Sequence, residues 1–234
     1  MQSLHLLSLL LQYPTHDLQA VTGEIRERLT ADPALPGATV EALGPLVSRL
    51  ATSDIYEAQE AYVELFDRGR AHSLHLFEHV HGESRDRGQA MVDLRQRYLD
   101  AGLEPEGNEL PDYLPLFLDY CSTLPEAAAR DALAEPGVVL IALTARLTEK
   151  GSDYAPLLAL LCEIAGVEMD EEAAKAMPPP EDPQDLEALD AQWEEEEVRF
   201  TAEAAPDPGA ACPKVGAILD RMREPLTTKA PARN

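Results

Sequence analysis

The sequence predicts an all-α fold: a single-domain helical bundle followed by an acidic C-terminal extension. Three observations carry that prediction. Apolar residues recur at spacings of three and four through most of residues 1–167, the signature of helix faces turned to a core. Capping residues, Gly and Pro punctuate the segments where a β-protein would show hairpin turns. No convincing run of alternating apolar and polar residues appears. The best strand candidate, VVLIAL, continues into an Ala- and Leu-rich stretch that favours a buried helix.

The elements follow in order. In MQSLHLLSLLLQYP, Leu4, Leu7 and Leu11 form one stripe and Leu6, Leu9 and Leu10 widen it, as in a mostly buried helix stopped by Tyr13-Pro14. Thr15 or Asp17 caps the next helix, which ends before Asp32-Pro33. A third lies around VEALGPLVSRLA, softened at Gly44-Pro45. Ser53 or Asp54 caps a long helix, DIYEAQEAYVELFDRGRAHSLHLFEHVHG, closed by Gly82. ESRDRGQAMVDLRQRYLDAG comes next, with Gly102 as its stop. In ELPDYLPLFLDYCSTL, Asp112 is the expected N-cap, which places Pro115 in the first turn, where its missing N–H costs nothing. PGVVLIALTARLTEKG and SDYAPLLALLCEIAG complete the set, each ended by Gly. The domain boundary falls at 167. Residues 168–200 carry 13 acids and 2 bases, a local charge of −11, with one short helix at 183–200. From Thr201 the chain is rich in Ala and Pro and reads as a disordered tail.

Composition narrows the function. With 45% hydrophobic residues a substantial core can form, and with only 5% aromatics aliphatic residues and Ala must fill it. The net charge of −24 argues against nucleic acid, whose phosphates need a basic surface. It suits a protein that meets basic segments of other proteins. Cys121, Cys162 and Cys212 are too widely spaced for a disulfide framework or a zinc motif, and read as reduced thiols. The N-terminus lacks a charged leader and a cleavage site, and no apolar run reaches the ~20 residues that span a bilayer. A cytoplasmic protein without membrane insertion is the expectation.

Residues 70–88, RAHSLHLFEHVHGESRDRG, hold four of the six histidines. On a continuous helix His72, His75 and His79 fall within roughly 60° of one another, on the shoulder between core and solvent. Tyr62, Phe66, Leu76, Phe77 and Val80 fall on the core side. His75 and His79, four apart, have metal-ligand spacing, but HLFEH is not HExxH and no third ligand is apparent. A catalytic pair would need an activated Ser, Cys or Lys, and none is visible. Two readings remain: histidines bonded at helix contacts, and a polar recognition surface with Arg68 and Arg70 beside it.

The stretch YVELFDRGRAHSLHLFEHVHGESRDRGQAMVDL resembles the signature region of the NarJ family. These are dedicated chaperones of the molybdoenzyme respiratory nitrate reductase and distant relatives of the TorD/DmsD chaperones. ELPDYLPLFLDY resembles that family's form of the superfamily's Pro-Asp-His-Leu element, with Tyr113 at the usual His position. LDAQWEEEEVRF resembles a C-terminal pattern of the family, so the likeness covers about residues 1–200. It implies an all-helical protein that is not an enzyme and holds no cofactor. Its implied partner is the N-terminal segment of the nitrate reductase catalytic (alpha) subunit, bound before molybdenum cofactor insertion. On this reading the client contacts are Tyr62, Phe66, Arg68, Arg70, His72, His75, His79, Glu83, Asp112 and Tyr113. The alternatives are a TorD-like chaperone of another molybdoenzyme and a histidine-based metalloprotein.

Overall fold

The protein is described by a computed structural model that places residues 1–80, 85–105, 109–169, 172 and 177, all within one compact unit. The expected stop at Gly82, Glu83, the short acidic helix at 183–200 and the tail from Thr201 lie outside the described residues. Among the described residues the regular elements are helices, with one isolated β-bridge.

Helix α1 (Gln2–Leu11) is apolar nearly all round, and Leu4, Leu7, Leu10 and Leu11 are fully buried. Each such leucine contributes roughly 1.5–3 kcal/mol of burial. The two buried serines of α1 are satisfied: Ser3 Oγ donates to the Asp32 carboxylate at 2.7 Å and Ser8 Oγ to the Pro115 carbonyl at 2.9 Å. Helix α2 (His16–Ala31) is capped by Thr15, whose Oγ1 accepts from the Leu18 N–H at 3.2 Å. Leu18, Thr22, Ile25 and Leu29 form its buried stripe. The expected third helix is two, α3 (Gly37–Glu41) and α4 (Gly44–Thr52). Pro45 sits in the first turn of α4, where a missing N–H is harmless, so it starts a helix there. Asp54 caps α5 (Ile55–Phe66) by accepting from the Tyr56 N–H at 2.9 Å.

The long helix expected from residue 54 to Gly82 does not form. It ends at Phe66, and among the described residues up to 80 it is followed by two 3₁₀ turns, Arg70–His72 and Leu76–Glu78. Gly69 is extended (φ −150°). The backbone beyond it finds tertiary partners: Leu76 N–H donates to the Asp112 carbonyl at 3.0 Å, and Leu114 N–H donates to the Leu74 carbonyl at 2.8 Å. These bonds pin residues 74–76 against 112–114, forming the bridge between His75 and Tyr113. His72, His75 and His79 therefore share no helical stripe, which removes the geometric basis for the metal reading.

Helix α6 (Arg85–Asp100) ends as expected at Gly102, whose φ of 78° suits glycine, with Leu103 N–H closing onto the Tyr98 carbonyl at 2.9 Å. Helix α7 (Leu114–Thr123) starts after Tyr113, the N-cap residue, with no side-chain cap. Asp112 thus caps nothing. Helix α8 (Glu126–Ala134) was not anticipated from the sequence, although EAAARDALA has high helix propensity and an i,i+4 pair, Glu126 with Arg130. Helices α9 (Gly137–Glu149) and α10 (Ala155–Ala165) supply much of the core, and VVLIAL lies inside α9. α1 packs along α7, α9 along α10, and α8 against both α7 and α10.

Candidate functional site

Tyr62 and Phe66, one turn apart on α5, are buried against Tyr154, with Phe66–Tyr154 centroids 4.9 Å apart. The Tyr62 hydroxyl donates to the Leu11 carbonyl at 2.8 Å. Its single proton is thereby used, so Tyr113, 3.0 Å away, must be the donor in the Tyr62–Tyr113 contact. Burial pushes the Tyr113 hydroxyl up to about 12 and that of Tyr62 higher still, so both stay neutral and serve as hydrogen-bonding walls.

Asp112, fully buried, is the knot behind this wall. Its carboxylate accepts from the Phe77 N–H at 3.1 Å and lies 3.2 Å from His75 Nδ1 and 4.0 Å from Arg87 Nη2. A buried carboxylate needs such donors, and here they fix the turn that follows α5. Burial alone would lower the His75 pKa. The hydrogen bond and charge of Asp112, with Glu78 and Glu109 nearby, outweigh burial and raise it. The ring of His75 lies against Tyr113, centroids 5.4 Å apart.

Tyr62, Phe66, His75 and Tyr113 therefore meet in one hollow of about 350 Å³, completed by Tyr13, Leu74, Asp67 and Glu109. Tyr13, Glu109 and Tyr113 also line a second hollow of about 490 Å³ that continues toward Glu104 and Asp119. Together they form an aromatic groove with carboxylates along it.

The remaining expected contacts fall elsewhere. His79 Nε2 bonds the Ser73 carbonyl at 2.8 Å and Nδ1 accepts from Arg146 at 3.3 Å, a neutral ring held in place. Burial and the Arg146 charge lower its pKa. His72 is half-buried and lowered too, by burial first and then by Lys150 and Arg146. Arg68 is exposed and pairs with Glu64 one turn back on α5. Arg70 opens the first 3₁₀ turn and does not line the groove. Sequence reasoning missed Tyr13, Asp67 and Glu109. The Tyr13-Pro14 stop was visible, but no periodicity could connect it with residues 109–113. A separate apolar hollow of about 370 Å³ lies between Leu76, Leu94, Phe117 and Val139, and it gathers none of the expected residues.

The described residues form a helical bundle with an aromatic groove whose buried polar groups are tied into the scaffold, a shape that can receive a peptide. The chain belongs to the nitrate reductase delta subunit family, whose model matches residues 32–160. It is 46% identical over 204 residues to the nitrate reductase molybdenum cofactor assembly chaperone NarJ of Escherichia coli K12, covering 87% of this chain and 86% of that one. It is 37% identical over 206 residues to the probable assembly chaperone NarW of the same strain, covering 88% and 86%. A third similarity, 33% over 156 residues, is to the nitrate reductase-like protein NarX of Mycobacterium tuberculosis H37Rv, covering 66% of this chain and 23% of that protein.

Proposed function

We propose that this chain binds the N-terminal segment of the apo catalytic (alpha) subunit of a respiratory nitrate reductase in the aromatic groove, and holds the subunit ready for molybdenum cofactor insertion. That the chain is a nitrate reductase assembly chaperone, and not an enzyme, follows from its family and close relatives. The choice of subunit and segment is supported by one observation above the rest. Tyr62, Phe66, His75 and Tyr113, named as client contacts from the sequence, converge on a single groove backed by Asp112. Residues 1–167 are taken as the client-binding domain. Among the described residues no helix is long and apolar enough to cross a membrane, which accords with work on the cytoplasmic side before the enzyme is assembled.

A groove formed by helix faces accepts an amphipathic helix, with apolar anchors supplying affinity and rim charges setting orientation. Co-purification tests the reading. Tagged full-length chain should retain the apo catalytic subunit, and deletion of that subunit's N-terminal segment should abolish retention. Undiminished capture without the segment would place the contact elsewhere on the client.

A further inference from the structure

We propose that Asp67 and Glu109 form a guanidinium subsite, taking one arginine of the bound segment against the tyrosines of the aromatic groove. The inference rests on the client-binding reading above and narrows it to a chemistry and two residues. Tyr13, Tyr62 and Tyr113 supply ring surface to the 350 Å³ hollow, and Tyr13, 44% exposed, stands edge-on to Tyr62 with centroids 5.7 Å apart. Both carboxylates are exposed, and neither forms an ion pair among the described residues. Among the described residues no lysine or arginine lines this hollow or its continuation. Among the described lining residues the one basic ring is His75, which turns its Nδ1 to Asp112 behind the wall. Carboxylates set beside aromatic rings, with only the titratable ring of His75 as a neighbouring cation among the described residues, complement a positive charge carried in by a partner.

The local field agrees. Burial is the largest cause of the rise at the Tyr113 hydroxyl, and the charges of Glu109 and Asp67 add to it. Burial also raises Asp67 itself. Arginine fits better than lysine. A guanidinium is planar, stacks on aromatic faces, gives up hydration more readily than an ammonium and presents a fork of donors. The continuing hollow is the weaker cation site, because Asp119 is already occupied by the His5 ring at 2.8 Å.

Calorimetry on the full chain tests the subsite. The titrants are a synthetic peptide of the catalytic subunit's N-terminal segment and versions with each arginine replaced singly by Gln or Lys. The proteins are the parent and the Asp67→Asn, Glu109→Gln double variant, whose thermal midpoint should be unchanged because both side chains are exposed. The double variant should lose about tenfold in affinity at low salt, the scale of one charge-assisted hydrogen bond. One Arg→Gln peptide should lose a similar factor on the parent and nothing further on the double variant, and its Arg→Lys counterpart should recover only part. Losses that add independently at every arginine would overturn the subsite while leaving peptide binding intact. A parent protein that fails to bind the unmodified peptide would instead sink the client-binding reading and the subsite with it.

Discussion

Asp112 shows how one side chain can carry several jobs that the sequence assigns differently. Expected as a helix cap, it is fully buried and organises the turn after α5 through the Phe77 N–H and the His75 ring. Asp112→Ala leaves a buried N–H and a ring nitrogen without their acceptor. Urea unfolding should show a loss of about 1–3 kcal/mol, the cost of stranding a buried donor. His75 and His79 should respond to pH in opposite ways. The His75 pKa is raised, so its pairing with Asp112 stabilises the fold below the unfolded value of 6.5 and fades as pH rises through the folded value. The His79 pKa is lowered, so the folded state prefers the neutral ring and loses stability as pH falls below 6.5. Thermal midpoints measured from about pH 5 to 8 should separate them. His75→Gln removes a stabilisation present on the acid side, and His79→Gln removes an acid-side penalty. Parallel profiles in the two variants would contradict both assignments.

At the scale of elements, stops and starts were more legible than continuity. Thr15, Asp54, Pro45, Gly102 and Gly166 each act through backbone chemistry that belongs to the residue itself. Gly166, at φ 67°, ends α10, with the Val167 N–H closing onto the Cys162 carbonyl at 2.9 Å. Gly166→Ala should cost about 1 kcal/mol by denaturant titration, since a Cβ disfavours the left-handed region even in open space. The long helix expected through residue 82 failed for a different reason. Apolar spacing across residues 54–80 is compatible with one helix, but the 74–77 backbone bonds to residues 112–114 over a sequence separation that local periodicity does not encode. Helix α8 shows the converse. Its Ala-rich face makes too weak an apolar stripe to stand out, yet small Ala129 and Ala132 let it bury closely against its neighbours.

For the whole molecule, the proposed binding mode makes net charge and groove chemistry together govern affinity for the client. A chain of net charge −24 should attract a basic segment over distances that salt shortens to about 8–10 Å near physiological ionic strength. Affinity for the client peptide should therefore fall as salt rises, leaving an apolar remainder that tolerates it. Protonation of His75, the basic ring in the groove, adds positive charge beside the bound segment and faces Asp67, Glu78, Glu109 and Asp112. Affinity should decline as pH falls through its raised pKa. His75→Gln should flatten that profile, and His79→Gln should not, because His79 is bonded to Ser73 and Arg146 away from the groove. Calorimetry at two pH values on both variants checks this. An equal flattening by His79→Gln would return the whole histidine stretch to the docking surface.

The sequence by itself determined the helical class, most helix boundaries, the caps and glycine stops, the family, and four of the residues that line the groove. Those properties are local, or are carried by contiguous motifs. Only the tertiary structure decided which of the named residues line the groove. Tyr62 was expected on the core side and is indeed buried, yet it also walls the groove, because residues 109–113 cross beside α5 and bring Tyr113 to its hydroxyl. His79 was expected beside His75 and is turned away, because the backbone between them bends into a 3₁₀ turn and Arg146 reaches in from α9. Helical periodicity assigns a face only while the helix lasts. Where it ends, hydrogen bonds to distant backbone choose the direction of each side chain.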